Sequence, residues 1–238
     1  SSKASYSKSV IVLAAKPPPF EGFRLFLPKL NDGLMSDWPQ GAIMEHGLSI
    51  EQLREMVSNL RKEGLNSQQI ADELSLSQDT IAWLLAGVST TEKPKDVRIG
   101  WRTIGVRPQR IAAIGAIMAD VVAEECGDSI DTIVGISING VLFANEVANQ
   151  LGCEVAIHRN VDGSPGKGAL SNKYGQVSGK RIVIVDDVLS TGVTMSKTIE
   201  SMREAGAEVA LCLVLVNKTV RNEIEEIPLR GIIRAAVV

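Results

Sequence analysis

The chain has 238 residues, 45% of them hydrophobic and 22% charged, with a net charge of −3 and three cysteines. That is enough apolar material for one sizeable core and a small second domain, and it excludes a disordered chain and a disulfide-built miniprotein. No apolar run reaches the roughly 18 residues of a membrane-spanning helix, and Val10–Ala15 is too short for a signal-peptide core, so a soluble cytoplasmic protein with no membrane contact is expected. Cys126, Cys153 and Cys212 form no CxxC or Cys/His cluster and read as reduced packing residues. Net charge is +2 over residues 1–43, −4 over 44–93 and −1 over 94–238. No segment has the basic excess of a non-specific nucleic-acid binder, so any DNA recognition rests on a local patch.

Residues 1–43, with Pro17-Pro18-Pro19 and further prolines at 28 and 39, show no sustained period and read as an irregular N-terminal extension. The chain begins without Met, and Met44 stands just before the first strong helical pattern, as expected of an extension the core does not need. From Ile50 to Glu63 the apolar positions Ile50, Leu53, Met56, Val57 and Leu60 recur at helical steps, and Gly64 ends the run. Ser67 to Ala86 reads as helix, tight turn, helix: Ser67 and Ser77 are the expected N-caps, Ala71 is the small residue at the crossing, and Ile70, Leu74, Leu76, Ile81 and Leu84 meet beneath the turn. Ser75 stands where many DNA-binding versions have Gly.

This pattern predicts a helix-turn-helix DNA-binding domain over 44–89. Its second helix would present Ser77, Gln78, Asp79 and Thr80 to a major groove, with Ala82 and Trp83 behind them. Gln pairs with adenine, Ser and Thr contact phosphate, and Asp accepts from a cytosine amino group. Trp83 has the alternative of packing against the next domain, and the hairpin as a whole that of oligomerisation. Paired helices reading two half-sites would make the protein a homodimer on promoter DNA.

Residues 90–96, polar and holding Pro94, are the expected linker to a second domain at 97–238. There helices at Ile111–Glu125, Val141–Leu151 and Gly192–Ala205 alternate with strands at Ile130–Gly135, Glu154–His158, Arg181–Val185 and Glu208–Val216, and Ile232–Val238 reads as a last strand. Such alternation predicts an α/β fold, a mostly parallel sheet flanked by helices, with ligands at the carboxyl ends of the strands. Trp101-Arg102 ahead of it suits a hood over the ligand or a packed domain junction equally, and His158 reads as a strand-end polar residue.

Ile182-Val183-Ile184-Val185 is followed by Asp186-Asp187-Val188-Leu189-Ser190-Thr191-Gly192-Val193-Thr194 and then a helix. Ser190 to Thr194 would offer backbone N–H groups, hydroxyls and a helix N-terminus to a phosphate, with Gly192 allowing close approach. Asp186 and Asp187 would accept hydrogen bonds from the vicinal hydroxyls of a sugar. The pattern is a phosphosugar site in outline.

VDDVLSTGVT after four β-branched residues resembles the phosphoribosyl pyrophosphate (PRPP) signature of type I phosphoribosyltransferases. The resemblance implies that Ser137, Ile138, Asn139 and Gly140 form a pyrophosphate loop, with Asn139 where orotate-type members carry Lys. It also implies Mg²⁺ with PRPP and a mobile basic loop. That loop keeps Arg159 here but has Asn160 in place of the adjacent Lys, leaving Lys167 and Lys173 further on. An active enzyme would use Arg159 on the pyrophosphate and Asp187 on the ribose to make a nucleotide from PRPP and a base; the thinned charge argues for binding without turnover. With IADELSLSQDTIAWLL and WRTIG ahead of the signature, residues 44–238 resemble the archaeal PyrE-like transcriptional regulators of the GfcR type, which implies a regulator of sugar metabolism with a PRPP-like effector.

Overall fold

The structure, a computed structural model, describes residues 48–87, 94–160 and 168–235. The expected extension over 1–43, linker residues 90–93 and the stretch 161–167 that holds Lys167 lie outside the described residues. Helix α1 (Ile50–Lys62) opens on a capping box in which Ser49 Oγ accepts from the Gln52 N–H and Gln52 Oε1 accepts from the Ser49 N–H. Helix α2 (Ser67–Leu74) is capped by Asn66 and not by the expected Ser67: Asn66 Oδ1 takes the Gln69 N–H at 2.9 Å and Gln69 returns the bond, which places Ser67 inside the first turn. Helix α3 (Gln78–Ala86) starts at Ser77, as its sequence suggests. Between them Ser75 adopts φ +51°, the left-handed conformation a glycine would reach without strain, and so reverses the chain. Val57, Ile70, Leu74, Leu76, Ile81 and Leu84 close a small core under this turn.

The α/β part follows. A short helix α4 (Arg102–Gly105), which no sequence pattern announced, precedes α5 (Pro108–Cys126), with Pro108 in its first turn. Then come β1 (Thr132–Ile136), α6 (Asn139–Leu151), β2 (Glu154–Asn160), β3 (Gly168–Leu170), β4 (Arg181–Leu189), α7 (Val193–Glu204), β5 (Glu208–Asn217), β6 (Glu223–Ile224) and β7 (Ile227–Arg234). The sheet order is β3-β2-β1-β4-β5-β7-β6; the five inner strands are parallel, and the short β3 and β6 are antiparallel edges. The last described strand is Ile227–Arg234, which begins five residues before the expected Ile232 because Ile227 and Leu229 face the core; residues 236–238 of the expected strand lie outside the described residues.

Alternation along the strands fills two cores. Ile182, Ile184, Cys212 and Val214 pack on one face with α7, and Val183, Val185, Leu211 and Leu213 on the other with α5 and α6. The chain leaves β1 toward β2 through α6, then returns to place β4 on the other side of β1. That reversal opens a crevice beyond the carboxyl ends of β1 and β4, the place where open α/β sheets take ligands.

Candidate functional site

The segments of the α/β part that meet in this crevice are 136–139 after β1 and 186–195 at the end of β4. Strand β4 does not stop at Val185 as expected but runs on through both acids to Leu189, because Asp186 and Val188 continue the parallel register against Val214 and Val216 of β5. Helix α6 approaches β4 so closely that a Cβ on Gly140 would lie 2.6 Å from the Val185 carbonyl oxygen and 2.9 Å from Asp186 Cα. Only a glycine permits that contact. Gly192 has φ +90° and ends the turn that launches α7. Among the described residues, α6 and α7, like α4 and α5, have no side-chain N-cap, whereas α1, α2 and α3 all do. The Val193 N–H reaches the Thr191 hydroxyl at 3.4 Å and the Val141 N–H the Ile138 carbonyl at 3.3 Å; for the other N–H groups at the two helix starts a phosphate is a fitting partner. The Ser137–Ile138 peptide is cis.

The carboxylates are electrostatically loaded. Burial first, then the charge of Asp187, pushes the Asp186 carboxyl well above the usual carboxylate range. Asp187, 8% exposed, is also raised by burial, opposed by hydrogen bonds that include one from the Asn139 side chain. The residue that stands in place of a Lys thus ties the first loop to the acid pair. Asp186 Oδ1 accepts from the Asp187 N–H at 2.9 Å. No Lys or Arg is among the described residues lining the crevice. A guanidinium does stand at its edge: a Cβ on Gly192 would be 3.5 Å from Arg221 Nη1.

Other expected residues have different surroundings. His158 is 1% exposed, its Nδ1 is 3.3 Å from Thr198 Oγ1, and that hydroxyl donates to the Thr194 carbonyl at 2.9 Å. Burial holds its imidazole down to about 4, so it is neutral and tethers the end of β2 to α7. Arg159 is exposed beside 161–167, which is outside the described residues. Trp101 sits at a junction: its indole N–H donates to Ser75 Oγ at 2.8 Å, and its ring centroid is 6.2 Å from that of Phe143 on α6.

The same junction engages residues expected to face DNA. Asp96 Oδ2 accepts the Ser77 N–H at 2.6 Å and the Thr80 hydroxyl at 2.9 Å, and Thr80 is 8% exposed. Lys218 bridges Asp96 Oδ1 at 3.0 Å and the Ser75 carbonyl at 2.7 Å, with both charged side chains nearly covered. Burial works to raise the Asp96 carboxyl, but the Ser77 N–H, the Lys218 charge and the Thr80 hydroxyl outweigh it and hold it low. Gln78 and Asp79 remain exposed, while Trp83 is half-buried with the Arg54 guanidinium 5.3 Å from its ring centroid. The structure therefore brings 186–194 and 137–140 together at one site and places 77–80 at the contact between the helices and the α/β part.

Sequence reasoning missed Asp72, which lines the crevice from α2, together with Lys218 and Arg221. All three lie far along the chain from the signature, and no motif points to them. Lys218 alone left a trace, as a cation directly after an apolar strand.

Residues 100–232 match the model of the phosphoribosyl transferase domain. The transcriptional regulator GfcR of Thermoplasma acidophilum is 37% identical over 194 residues, covering 80% of this chain and 98% of that protein. The GfcR regulator of Archaeoglobus fulgidus is 36% identical over 190 residues, covering 78% and 96%. Among solved structures, orotate phosphoribosyltransferase from Aeropyrum pernix shares the fold with a TM-score of 0.50 at 20% identity, covering 62% of this chain and 83% of that one. Matched in sequence over about four fifths of its length, and built on a type I phosphoribosyltransferase fold, the chain belongs to the family of GfcR transcriptional regulators.

Proposed function

We propose that this protein is a DNA-binding transcriptional regulator whose α/β part senses PRPP or a related phosphosugar. The observation that carries the sensing half is the convergence of the N-termini of α6 and α7 on a crevice that also holds two adjacent carboxylates, Asp186 half-buried and Asp187 buried. The N-termini and the Ser190–Thr194 turn suit a phosphate, and Asp186 and Asp187 suit sugar hydroxyls. The names of the relatives support the regulatory half, with α2 and α3 as the helix-turn-helix and promoter DNA as its partner. Mg²⁺ would arrive with a pyrophosphate, since no group of three His, Cys, Asp or Glu among the described residues could hold a metal ion. A homodimer follows from the paired half-sites that such helices read.

The test is calorimetric titration of the full chain with PRPP and Mg²⁺, set beside the Asp186→Asn/Asp187→Asn double variant. Binding that the double variant abolishes while its circular dichroism stays native is expected; equal affinity in both removes the site. Pyrophosphate release with orotate, uracil, adenine or hypoxanthine in the same samples would instead make phosphoribosyl transfer the activity. For DNA, selection from a randomised duplex library should enrich a two-fold symmetric motif with half-sites about 34 Å apart. Recovery of no preferred sequence would remove the DNA reading.

A further inference from the structure

The crevice is not closed by the α/β part alone. Its lining includes α2, the 75–77 turn and Gln78 at the start of α3. These are held there by the Lys218 bridge to Ser75 and Asp96 and by the Trp101 bond to Ser75. The Lys218 N–H also donates to the carbonyl of Leu189, the residue ahead of the Ser190–Gly192 turn, so one residue anchors both walls. Gln78 donates to Gln68, and Gln68 donates to Asp72 Oδ1 at 3.1 Å, a relay that fixes the Asp72 carboxylate on the crevice side of α2. Among the described residues nothing donates to its second oxygen.

We propose that the phosphosugar site is a composite one, in which Asp72 of the helical part selects the ligand by accepting from a sugar hydroxyl and repelling a second anionic group. This rests on the reading of the crevice given above and names the ligand class within it: a sugar monophosphate with free hydroxyls on the side facing α2, in preference to a pyrophosphorylated one. Charge supports that choice. Three carboxylates line the crevice, and the guanidinium at its edge, Arg221, stands beside Gly192 at the phosphate turn, so one phosphate can be met there by the helix N-termini and Arg221 while a further anionic group toward α2 meets like charge. Asp72 is exposed at the residue level, yet desolvation in the crevice, opposed by the Gln68 bond and aided by the charge of Asp187, lifts its carboxyl to about 6. Because 77–80 stand at the same junction, the helix surface that closes the crevice is also the one a duplex would need, and ligand and DNA draw on it together.

The experiment compares the affinity of the full chain for ribose 5-phosphate and for PRPP with Mg²⁺, in the native protein, Asp72→Asn and Asp72→Arg, with Glu55→Gln on α1 as a control. The native protein should favour ribose 5-phosphate. Asp72→Asn should tighten PRPP by about tenfold and ribose 5-phosphate by no more than about threefold, with Asp72→Arg moving the ratio further. If the native protein binds neither compound, the underlying phosphosugar reading fails. If it binds and the ratio is the same in both Asp72 variants as in the control, the crevice reading stands and the composite site is overturned.

Discussion

Burying an ionised carboxylate without a cation costs several kcal/mol, and the fold buries two in succession at Asp186 and Asp187. Their nearest donors are uncharged, the Asp187 N–H and the Asn139 amide. Asp186→Asn keeps the shape and the oxygen that accepts from the Asp187 N–H while removing one charge. It should therefore stabilise the ligand-free protein at pH 7.5 by roughly 1–2 kcal/mol, measured by urea unfolding, and weaken phosphosugar binding at the same time. The direction of the pH dependence is fixed. A carboxyl raised above its unfolded value of 3.8 binds its proton more tightly in the native state, so its contribution is full below 3.8 and is lost as pH rises through the folded pKa. The advantage of the Asn variant should shrink toward pH 4, and an advantage constant from pH 7.5 to 4 would assign it to something other than charge. This acid pair was legible in the sequence because the residues, the strand before them and the turn after them are contiguous. Asp72 was not, since its place at the crevice depends on a helix folded back over the sheet from more than a hundred residues upstream.

Elements with their own apolar period were likewise legible: α1, β1, α6, α7 and β5 stand within a few residues of where β-branched runs and helical stripes put them. Those set by tertiary pairing were not. Strands β3 and β6 are three and two residues long and exist through antiparallel pairing to β2 and β7. The end of β4 was misread because two acids have low strand propensity, which the parallel ladder to β5 overrides. The contact of α6 with β4 is a further property of paired elements, and it depends on one missing methyl group. A Cβ at 140 would meet backbone at 2.6 Å, which no flexible side chain can relieve. Gly140→Ala should push the first turn of α6 away from Asp186, cost about 1–3 kcal/mol and lower phosphosugar affinity by at least about tenfold. Gly105→Ala is the matched control, because a Cβ at 105 on α4 meets nothing within 4 Å. Equal effects of the two substitutions in calorimetric titration and urea unfolding would show that the close approach does not shape the site.

At the scale of the whole molecule, the question is whether the helical part and the α/β part behave as one cooperative body. Their small and large cores are separate, so the coupling rests on polar contacts at the junction. The strongest is the Lys218–Asp96 pair, with side chains 5% and 8% exposed and further bonds from Ser77 and Thr80 to the same carboxylate. A buried pair of this kind is a poor source of net stability but a costly one to break, since removing one partner strands the other charge away from water. Lys218→Ala should therefore cost about 3–5 kcal/mol, whereas Trp101→Phe, which keeps the ring and drops the bond to Ser75, should cost about 0.5–1.5 kcal/mol. Scanning calorimetry should give one transition for the native protein. With Lys218→Ala the residues of α1 to α3 should melt first in a transition of their own, because their core is small and its coupling to the sheet has gone. A single, merely lowered transition in that variant would mean that the two parts are joined by more than this junction, and that a ligand reaching the 190–194 turn has another route to the helices than through Lys218.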